Sequence, residues 1–296
     1  MHRSGFINII GRPNVGKSTL MNALVGERMS IITSKPQTTR HRIIGILSGD
    51  DFQMIFSDTP GLISDPSYKM QEAMNRFVAG TFDDADLMLF VTEPAEQYAD
   101  DDPLIARLQN LKAPLFLLIN KIDTIDEAAL LQLIDHWKER APFAEIVPIS
   151  ALQKLNTDRL LELIKSYLPE GPEYYPKDQL TDRPERFFVG EIIREKILER
   201  YHQEIPYSVE VAIESFKEGE TRAGEPLVRI EALIYVDRKS QKPILIGKNG
   251  AAIKQLGTEA RQAIETWLEQ KVFLELHVKV RENWRNDEQQ LRRWGY

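Results

Sequence analysis

Gly11-Arg12-Pro13-Asn14-Val15-Gly16-Lys17-Ser18 sets two glycines with four residues between them and follows them with a lysine and a hydroxyl. That spacing suits phosphate chemistry. A tight loop aims successive backbone N–H groups at a β-phosphate, and a lysine at the start of the following helix reaches the β- and γ-phosphate oxygens. The Ser18 hydroxyl is then offered to Mg²⁺. Gly11, Asn14, Val15, Gly16, Lys17, Ser18 and Thr19 are the candidate phosphate-binding residues, and Lys17 is also a catalytic candidate because it faces charge that develops during phosphoryl transfer. Gly-rich patterns arise by chance, but here Lys-Ser is in register, an apolar run (Phe6 to Ile10) precedes the loop and a helix-like run (Thr19 to Val25) follows it.

Three further motifs extend this chemistry. Asp58-Thr59-Pro60-Gly61 comes directly after the apolar run 52–56. A carboxylate at a strand end can hold Mg²⁺ through water, and Gly61 leaves its N–H free to approach a γ-phosphate, which makes it a catalytic candidate. Between the first two motifs, Ser30 to Arg42 is polar, with little periodicity, and carries Ser34-Lys35-Pro36-Gln37-Thr38-Thr39-Arg40. A loop of that length inside a domain is usually functional or mobile. Thr38 or Thr39 is placed to close the Mg²⁺ coordination and sense the γ-phosphate, and Thr39 is preferred. Ser18, Thr39 and Asp58 form the candidate metal set.

Asn120-Lys121-Ile122-Asp123 ends the most apolar run of the chain, Leu115 to Ile119. Guanine shows two donors on one edge, N1–H and the 2-amino group, and the Asp123 carboxylate can accept both. Adenine would present an acceptor to that carboxylate and leave it poorly paired. The motif therefore selects guanine. Asn120 ties this loop to the phosphate loop, the Lys121 stem covers the ring face, and Ser150-Ala151 can offer backbone N–H groups to the guanine carbonyl.

Residue 62, which follows Asp-x-x-Gly, is leucine. In Ras-like enzymes the glutamine at this place orients the attacking water. Neither Leu62 nor Ile63 can do so, although Thr59, Pro60 and Leu62 still belong to the candidate nucleotide loop. Slow intrinsic hydrolysis is expected, with the water placed by backbone groups, by an ordered water chain or by a group supplied in trans.

These residues must be positioned by the elements between them. Strands at Phe6–Ile10, Ile43–Leu47, Phe52–Phe56, Leu87–Val91, 114–119 and Ile146–Ile149 interleave with helices at Lys17–Val25, near 71–81, at 103–111, 126–140 and 157–168. Such alternation, with strands as apolar as Leu115–Ile119, predicts an α/β domain with a mostly parallel sheet covered on both faces. In these sheets ligands lie beyond the carboxyl ends of the strands, where every motif above falls.

Composition sets the outer bounds. The chain has 296 residues, enough for two domains, and 42% of them are hydrophobic. There is no cysteine, which excludes disulfides and Cys-ligated zinc and suits a reducing cytosol. No apolar run reaches membrane-span length and the first residues read as no signal peptide, so the expectation is a cytoplasmic protein. The net charge of -7 argues at face value against nucleic acid, but it is uneven. Residues 1–180 carry 18 Lys/Arg against 25 Asp/Glu, whereas 181–296 carry 20 of each. Within 238–261 stand Arg238, Lys239, Lys242, Lys248, Lys254 and Arg261 against the single acid Glu259. The basic surface is local.

Prolines 169, 172, 176 and 184 break the chain after the last helix and make a stiff connection. We divide the chain into a first domain over 1–170, a linker over 171–186 and a second domain over 187–296. In the second, an amphipathic helix from 187 to 202 leads to strands 207–216 and 227–236, joined by a turn around 219–224. The run Ile244-Leu245-Ile246 enters Gly247-Lys248-Asn249-Gly250, and a helix to Leu268 and a strand over 273–280 follow. This is the order of an α+β type II KH module, whose Gly-x-x-Gly loop clamps the backbone of about four single-stranded nucleotides. Gly247, Asn249 and Gly250 allow close approach, Lys248 and Lys254 reach phosphates, and Ile244, Ile246 and Ile253 can floor the bases. Arg281 to Tyr296 interleaves Trp284, Trp294 and Tyr296 with Arg285, Arg292 and Arg293. Stacking on RNA is one reading of this tail. Docking on the module's own core is favoured, because termini are ordered only when packed.

Gly-Arg-Pro-Asn-Val-Gly-Lys-Ser, Gln-Thr-Thr-Arg, Asp-Thr-Pro-Gly, Asn-Lys-Ile-Asp and Ser-Ala, followed by a KH-like second half, resemble the TrmE-Era-EngA-like GTPases over almost the whole chain. In one departure, Lys154 stands where that family usually has glycine, two residues before Asn156. The resemblance implies a P-loop NTPase fold, GTP and GDP with Mg²⁺ as ligands, and GTP hydrolysis. It also implies binding to the 3′ end of small-subunit (16S) ribosomal RNA during small-subunit biogenesis, with nucleotide state controlling RNA and ribosome binding. A peripheral association with the cytoplasmic face of the inner membrane rests on the resemblance alone, and the working oligomeric state is a monomer. Two other functions compete with the RNA-binding GTPase: a GTPase whose second domain binds a protein, and an ATP-driven enzyme.

Overall fold

Leu115 to Ile119 is buried at every position, and so is Leu87 to Thr92. Strands with no polar face belong in the middle of a sheet covered on both sides, and a computed structural model of the chain places them there. It describes residues 2–63, 65–221 and 223–296, so Met1 at the amino end and Arg222 in the expected 219–224 turn lie outside the described residues.

The chain forms two compact units: residues up to 65 together with Ala73–Asp182, and Pro66–Glu72 together with Arg183–Tyr296. In chain order the first sheet is built from β1 (Arg3–Ile10), β2 (Ile43–Ser48), β3 (Phe52–Asp58), β4 (Leu87–Thr92), β5 (Leu115–Ile119) and β6 (Glu145–Pro148). Between them lie helices α1 (Lys17–Val25), α2 (Lys69–Gly80), α3 (Pro103–Gln109) and α4 (Glu127–Trp137), and α5 (Thr157–Tyr167) follows. The strand order is β2-β3-β1-β4-β5-β6, parallel except for β2, which hairpins against β3. This is the expected mostly parallel α/β layout.

Alternate residues of the central strands serve opposite faces. Met88 and Phe90 pack with Leu115, Leu117, Ile119, the α3 residues Leu104, Ile105 and Leu108, and Trp137 of α4. Phe90, Tyr98 and Trp137 meet edge to face at 5.3–5.6 Å. Leu87, Leu89 and Val91, on the other face, are equally buried. Asp102 and Asp126 cap α3 and α4 by accepting from Leu104 N and Ala129 N, each contribution being about 1 kcal/mol.

The proline-rich segment does not run free. Gln53 accepts from the Tyr174 and Tyr175 amides and donates to the Tyr175 carbonyl, Ser4 Oγ donates to Pro172 O, and the Ile46 amide of edge strand β2 donates to Leu180 O. The first unit therefore keeps the chain as far as Asp182.

The second unit contains α6 (Glu185–Arg200), β7 (Val209–Glu220), β8 (Pro226–Val236), α7 (Gln241–Ile246), α8 (Ala251–Leu268), β9 (Lys271–Val280) and α9 (Glu288–Arg293). Its sheet runs β7-β8-β9, antiparallel then parallel. Val228, Ile230, Ala232, Ile234 and Val236 alternate along β8 into a core shared with Val189, Ile192, Ile193 and Ile197 of α6 and Leu256, Ala260 and Ile264 of α8. That one-sided pattern is how helices come to cover a single face of a sheet. The residues 244–246 form the end of a short helix.

Candidate nucleotide and RNA sites

Parallel register brings the motifs of the first unit to one sheet edge. Ile9 lies opposite Asp58, Thr92 opposite Ile119, and Ile119 opposite Pro148. The loops that leave β1, β3, β5 and β6 therefore converge on a cavity of about 440 Å³. Asn14, Gly16, Lys17, Ser18, Thr19, Thr39, Thr59, Gly61, Asn120, Lys121, Asp123 and Ser150 line it. Gly11, Val15, Asp58, Pro60 and Ala151 are buried behind that lining, and Leu62 packs against the apolar cluster of Phe90 and Trp137. In that position it offers nothing to a water molecule. Pro13, Ile32, Thr33, Thr124 and Leu152 also line the cavity, and spacing alone did not single them out.

Asn120 joins three loops. Its Nδ2 donates to Val15 O at 2.8 Å, and its Oδ1 accepts from the Ala151 amide at 2.9 Å. Both bonds are buried, so removing the side chain would leave backbone groups unpaired at about 1–3 kcal/mol. Gly16 makes room for it: at φ 98 a Cβ there would lie 2.2 Å from Asn120 Nδ2. Lys121 turns its Nζ to Asn14 O and to Glu93, and Asp123 sits exposed in the short turn Ile122–Thr124 at the cavity lining. Lys154, which stands in place of the family's glycine, takes φ 54, and Asn156 takes φ 62. The loop keeps a left-handed conformation that glycine adopts easily, and a Ser150–Leu155 bridge closes it.

Lys17 is buried, with Nζ held by Gly11 O at 3.1 Å and Arg12 O at 2.8 Å. Burial lowers its pKa to about 8, while Asp58 and Glu96 act in the opposite direction. Asp58 is fully buried, and burial raises its carboxyl against the hydrogen bonds and the Lys17 charge that favour ionisation. Three hydroxyls meet its Oδ2: Ser18 at 2.7 Å, Ser30 at 2.9 Å and Thr39 at 3.4 Å. Ser18 and Thr39 also lie 2.9 Å from each other. Thr38 points elsewhere, to Thr33 Oγ1 and Lys35 O, both at 2.6 Å. Asp58 Oδ1 is buried with no hydrogen-bond partner. Hard oxygen donors around an orphaned carboxylate oxygen fit Mg²⁺. Ser30 belongs to this cluster although no motif marks it, because its partner Asp58 is 28 residues away in the chain.

The second unit carries a different kind of site. Gly247-Lys248-Asn249-Gly250 joins α7 to α8, with Gly247, Asn249 and Gly250 all at positive φ. Beside it, Ile246, Ile253, Lys242, Leu233, Leu276 and Val278 line an open groove of about 640 Å³. Lys248, Asn249 and Lys254 are exposed. Ile244 lies outside the groove lining and is 50% exposed. The β9 residues Leu276 and Val278 went unmarked in the sequence, since an alternating strand looks the same whether it floors a groove or faces water.

The aromatic tail packs on its own unit. Trp284 is fully buried and donates from Nε1 to Ser208 O at 3.1 Å. Trp294 meets Trp284 edge to face at 5.3 Å and Tyr235 at a tilt at 5.1 Å, and the Tyr296 hydroxyl donates to Glu210 at 2.8 Å. Of the two readings of this segment, docking is the one the chain adopts.

Comparison with known proteins agrees with both halves. Residues 6–121 match a family described as 50S ribosome-binding GTPase, and residues 204–285 match the KH domain family. The chain is 48% identical over 297 residues to the GTPase Era of Syntrophus aciditrophicus (strain SB), covering all of this chain and 96% of the relative. Two solved structures superpose over nearly every residue. One is an Aquifex aeolicus Era variant bound to GDP.AlF4-, with 38% identity, TM-score 0.91 and 99% of each chain covered. The other is Era in complex with MgGDPNP and nucleotides 1506–1542 of 16S ribosomal RNA, with 39% identity, TM-score 0.92 and coverage of 100% and 99%.

Proposed function

The chain belongs to the Era family of GTPases, and from that premise we propose that it binds Mg²⁺-GTP, hydrolyses it to GDP and phosphate, and grips the 3′ end of small-subunit ribosomal RNA. It would act in small ribosomal subunit biogenesis, with nucleotide state controlling RNA and ribosome binding. We take 1–170 as the GTPase domain, 171–186 as the connecting segment, of which 171–182 packs with the first unit, and 187–296 as the KH domain. The observation that carries the nucleotide half is the oxygen cluster of Ser18, Thr39 and Asp58 beside the buried Lys17 ammonium.

In this reading Ser18, Thr39 and Asp58 hold the metal ion, which would neutralise charge on the β- and γ-phosphates when bound. Lys17 and the amides of 14–19 bind the phosphates and stabilise the charge that builds on them. Gly61 presents its N–H to the γ-phosphate, and Thr59, Pro60 and Leu62 shape that loop. Asn120, Lys121, Asp123, Ser150 and Ala151 take the base, with Asp123 choosing guanine. Gly11 supports the loop from behind, and Leu62 supplies no water-orienting group, so unassisted hydrolysis is slow.

The relative solved with a 16S fragment supports the RNA half. Gly247, Lys248, Asn249, Gly250 and Lys254 take the RNA backbone, and Ile246 and Ile253 support the bases, with Ile244 at the rim. Among the described residues no helix is long and apolar enough to cross a membrane. We place the protein in the cytoplasm as a monomer, with any inner-membrane contact peripheral. Competition of GTP and ATP for the purified chain, followed by titration of a single-stranded oligoribonucleotide in the GTP- and GDP-bound forms, tests the whole. Equal binding of the two triphosphates would overturn the guanine assignment, and RNA affinity insensitive to nucleotide would overturn the coupling.

A further inference from the structure

Arg12, the second residue of the phosphate loop, turns its side chain away from the cavity and into the segment after β4. Its Nη1 donates to Glu96 Oε2 at 3.0 Å and to Gln97 O at 2.8 Å, its Nη2 donates to Asp102 Oδ2 at 2.8 Å, and the guanidinium lies 4.0 Å over the Tyr98 ring. Two carboxylates, a carbonyl and an aromatic face thus occupy the planar fork together, a fit that a lysine ammonium cannot reproduce. Glu96 and Asp102 are themselves mostly buried, at 19% and 15% side-chain exposure.

The segment that receives Arg12 is fixed at several other points. Asp102 uses its second oxygen to cap α3 through the Leu104 amide. Arg140, beyond α4, donates to Tyr98 O and Ala99 O, both at 2.9 Å, and to Asp100 at 3.1 Å. Tyr98 is wedged edge-on between Phe90 and Trp137. At the other end of the segment, Glu93 pairs with Lys121 of the guanine loop. One short stretch, 93–102, therefore holds the phosphate loop through Arg12 and the base loop through Lys121. The main chain of Arg12 supplies the carbonyl that accepts from Lys17 Nζ at 2.8 Å, so wherever Arg12 is held, Lys17 is aimed.

We propose that Arg12 is a positioning residue for the phosphate loop, clamped by Glu96 and Asp102, and that the segment 93–102 is a brace that sets the phosphate and base loops at a fixed spacing before nucleotide arrives. The proposal rests on the GTPase reading above. It is distinct from an arginine finger, in which the guanidinium itself would reach the transferring phosphoryl group. Pre-set loops lower the ordering cost of binding, so the clamp acts on affinity and dissociation rate more than on the chemical step.

The test uses the full chain with Mg²⁺, measuring the dissociation rate of a fluorescent GDP and the KM and kcat of GTP hydrolysis for the wild type, Arg12→Ala, Arg12→Lys and the double variant Glu96→Gln/Asp102→Asn. The double variant keeps shape, and asparagine caps a helix as well as aspartate does, so it should fold even if Arg12→Ala does not. The clamp predicts that Arg12→Ala and the double variant each speed GDP release by about tenfold and raise KM, with kcat within about threefold of wild type, while Arg12→Lys falls between. A finger predicts the reverse: kcat collapses in Arg12→Ala, binding holds, and the double variant frees the guanidinium and keeps or gains activity. That pattern, or an unchanged release rate in the double variant, overturns the proposal. If the wild type itself fails to bind the fluorescent GDP, the nucleotide reading falls first.

Discussion

The two glycine loops of this chain solve the problem of approaching a phosphate in opposite ways. In the first unit, the space left by Gly16 is occupied by the protein itself, because Asn120 fills it to tie three loops together. In the second, a Cβ at Gly250 would meet nothing within 4 Å, and the lysines beside it stand in water. One loop is pre-assembled from buried polar groups, and the other is an open ledge. Buried polar sites discriminate sharply, since a wrong ligand strands their donors and acceptors, whereas open basic ledges hold a backbone by charge and respond steeply to salt.

The sharpest way to break this contrast is Asp123→Asn. An amide cannot accept both guanine donors with a full charge, so GTP affinity should fall by about 1.5–3 kcal/mol, roughly ten- to a hundredfold, while RNA binding by the second unit holds once GTP is raised to saturate the site. Isothermal titration with GTP and with xanthosine triphosphate checks it, and xanthosine should gain because its 2-oxo group accepts from the new amide. On the ledge, Gly250→Asp places a negative charge and a side chain where the RNA backbone would run. About a tenfold loss of oligoribonucleotide affinity is expected by fluorescence anisotropy, with GTP turnover unchanged. If turnover fell as well, the substitution would be acting through more than the ledge.

Leu62→Gln tests whether the pre-assembled site lacks only a water-orienting group. Single-turnover hydrolysis should rise by a few fold at most, because Leu62 now packs into an apolar cluster that a glutamine must leave. A rise of several orders of magnitude would mean that residue 62 alone limits the native rate. The smallest effect belongs to Lys248→Ala, which should lower the slope of log affinity against log salt by about 0.7 with little change in sequence preference. An unchanged slope would remove Lys248 from the RNA contacts.

Much of the first site was legible because its chemistry is carried by contiguous residues at strand ends. Lys17, Asp58 and Asn120 each follow an apolar run in sequence, and parallel register does the rest. What escaped are the partners of Asp58, Lys121 and Arg12. Ser30 at Asp58, Glu93 at Lys121, and Glu96 and Asp102 at Arg12 come from loops whose local pattern is merely polar. Thr39 and Thr38 could not be told apart by spacing, since adjacent residues in an irregular loop differ only in direction. In the second unit the order of elements was readable from alternation in β8 and the periodicity of α8, yet the groove wall on β9 was not. The 187–202 helix lies two residues earlier, at Glu185–Arg200, and the 207–216 strand begins at Val209 because Ile205–Tyr207 turns as a short helix, while β7 and β9 run past their apolar cores because backbone pairing continues beyond the last buried side chain.

The segment from Gly171 to Leu180 crosses three neighbouring strands of the larger sheet, bonded to Ser4 of β1, to Gln53 of β3 and, through Leu180 O, to the Ile46 amide of the edge strand β2. Strand edges left bare invite a second molecule to pair with them. Anyone who cuts this chain at Glu170 to isolate its catalytic half would strip these bonds and bare the Ile46 amide at the edge, one more donor for a second molecule to pair with, whereas a cut after Asp182 keeps them.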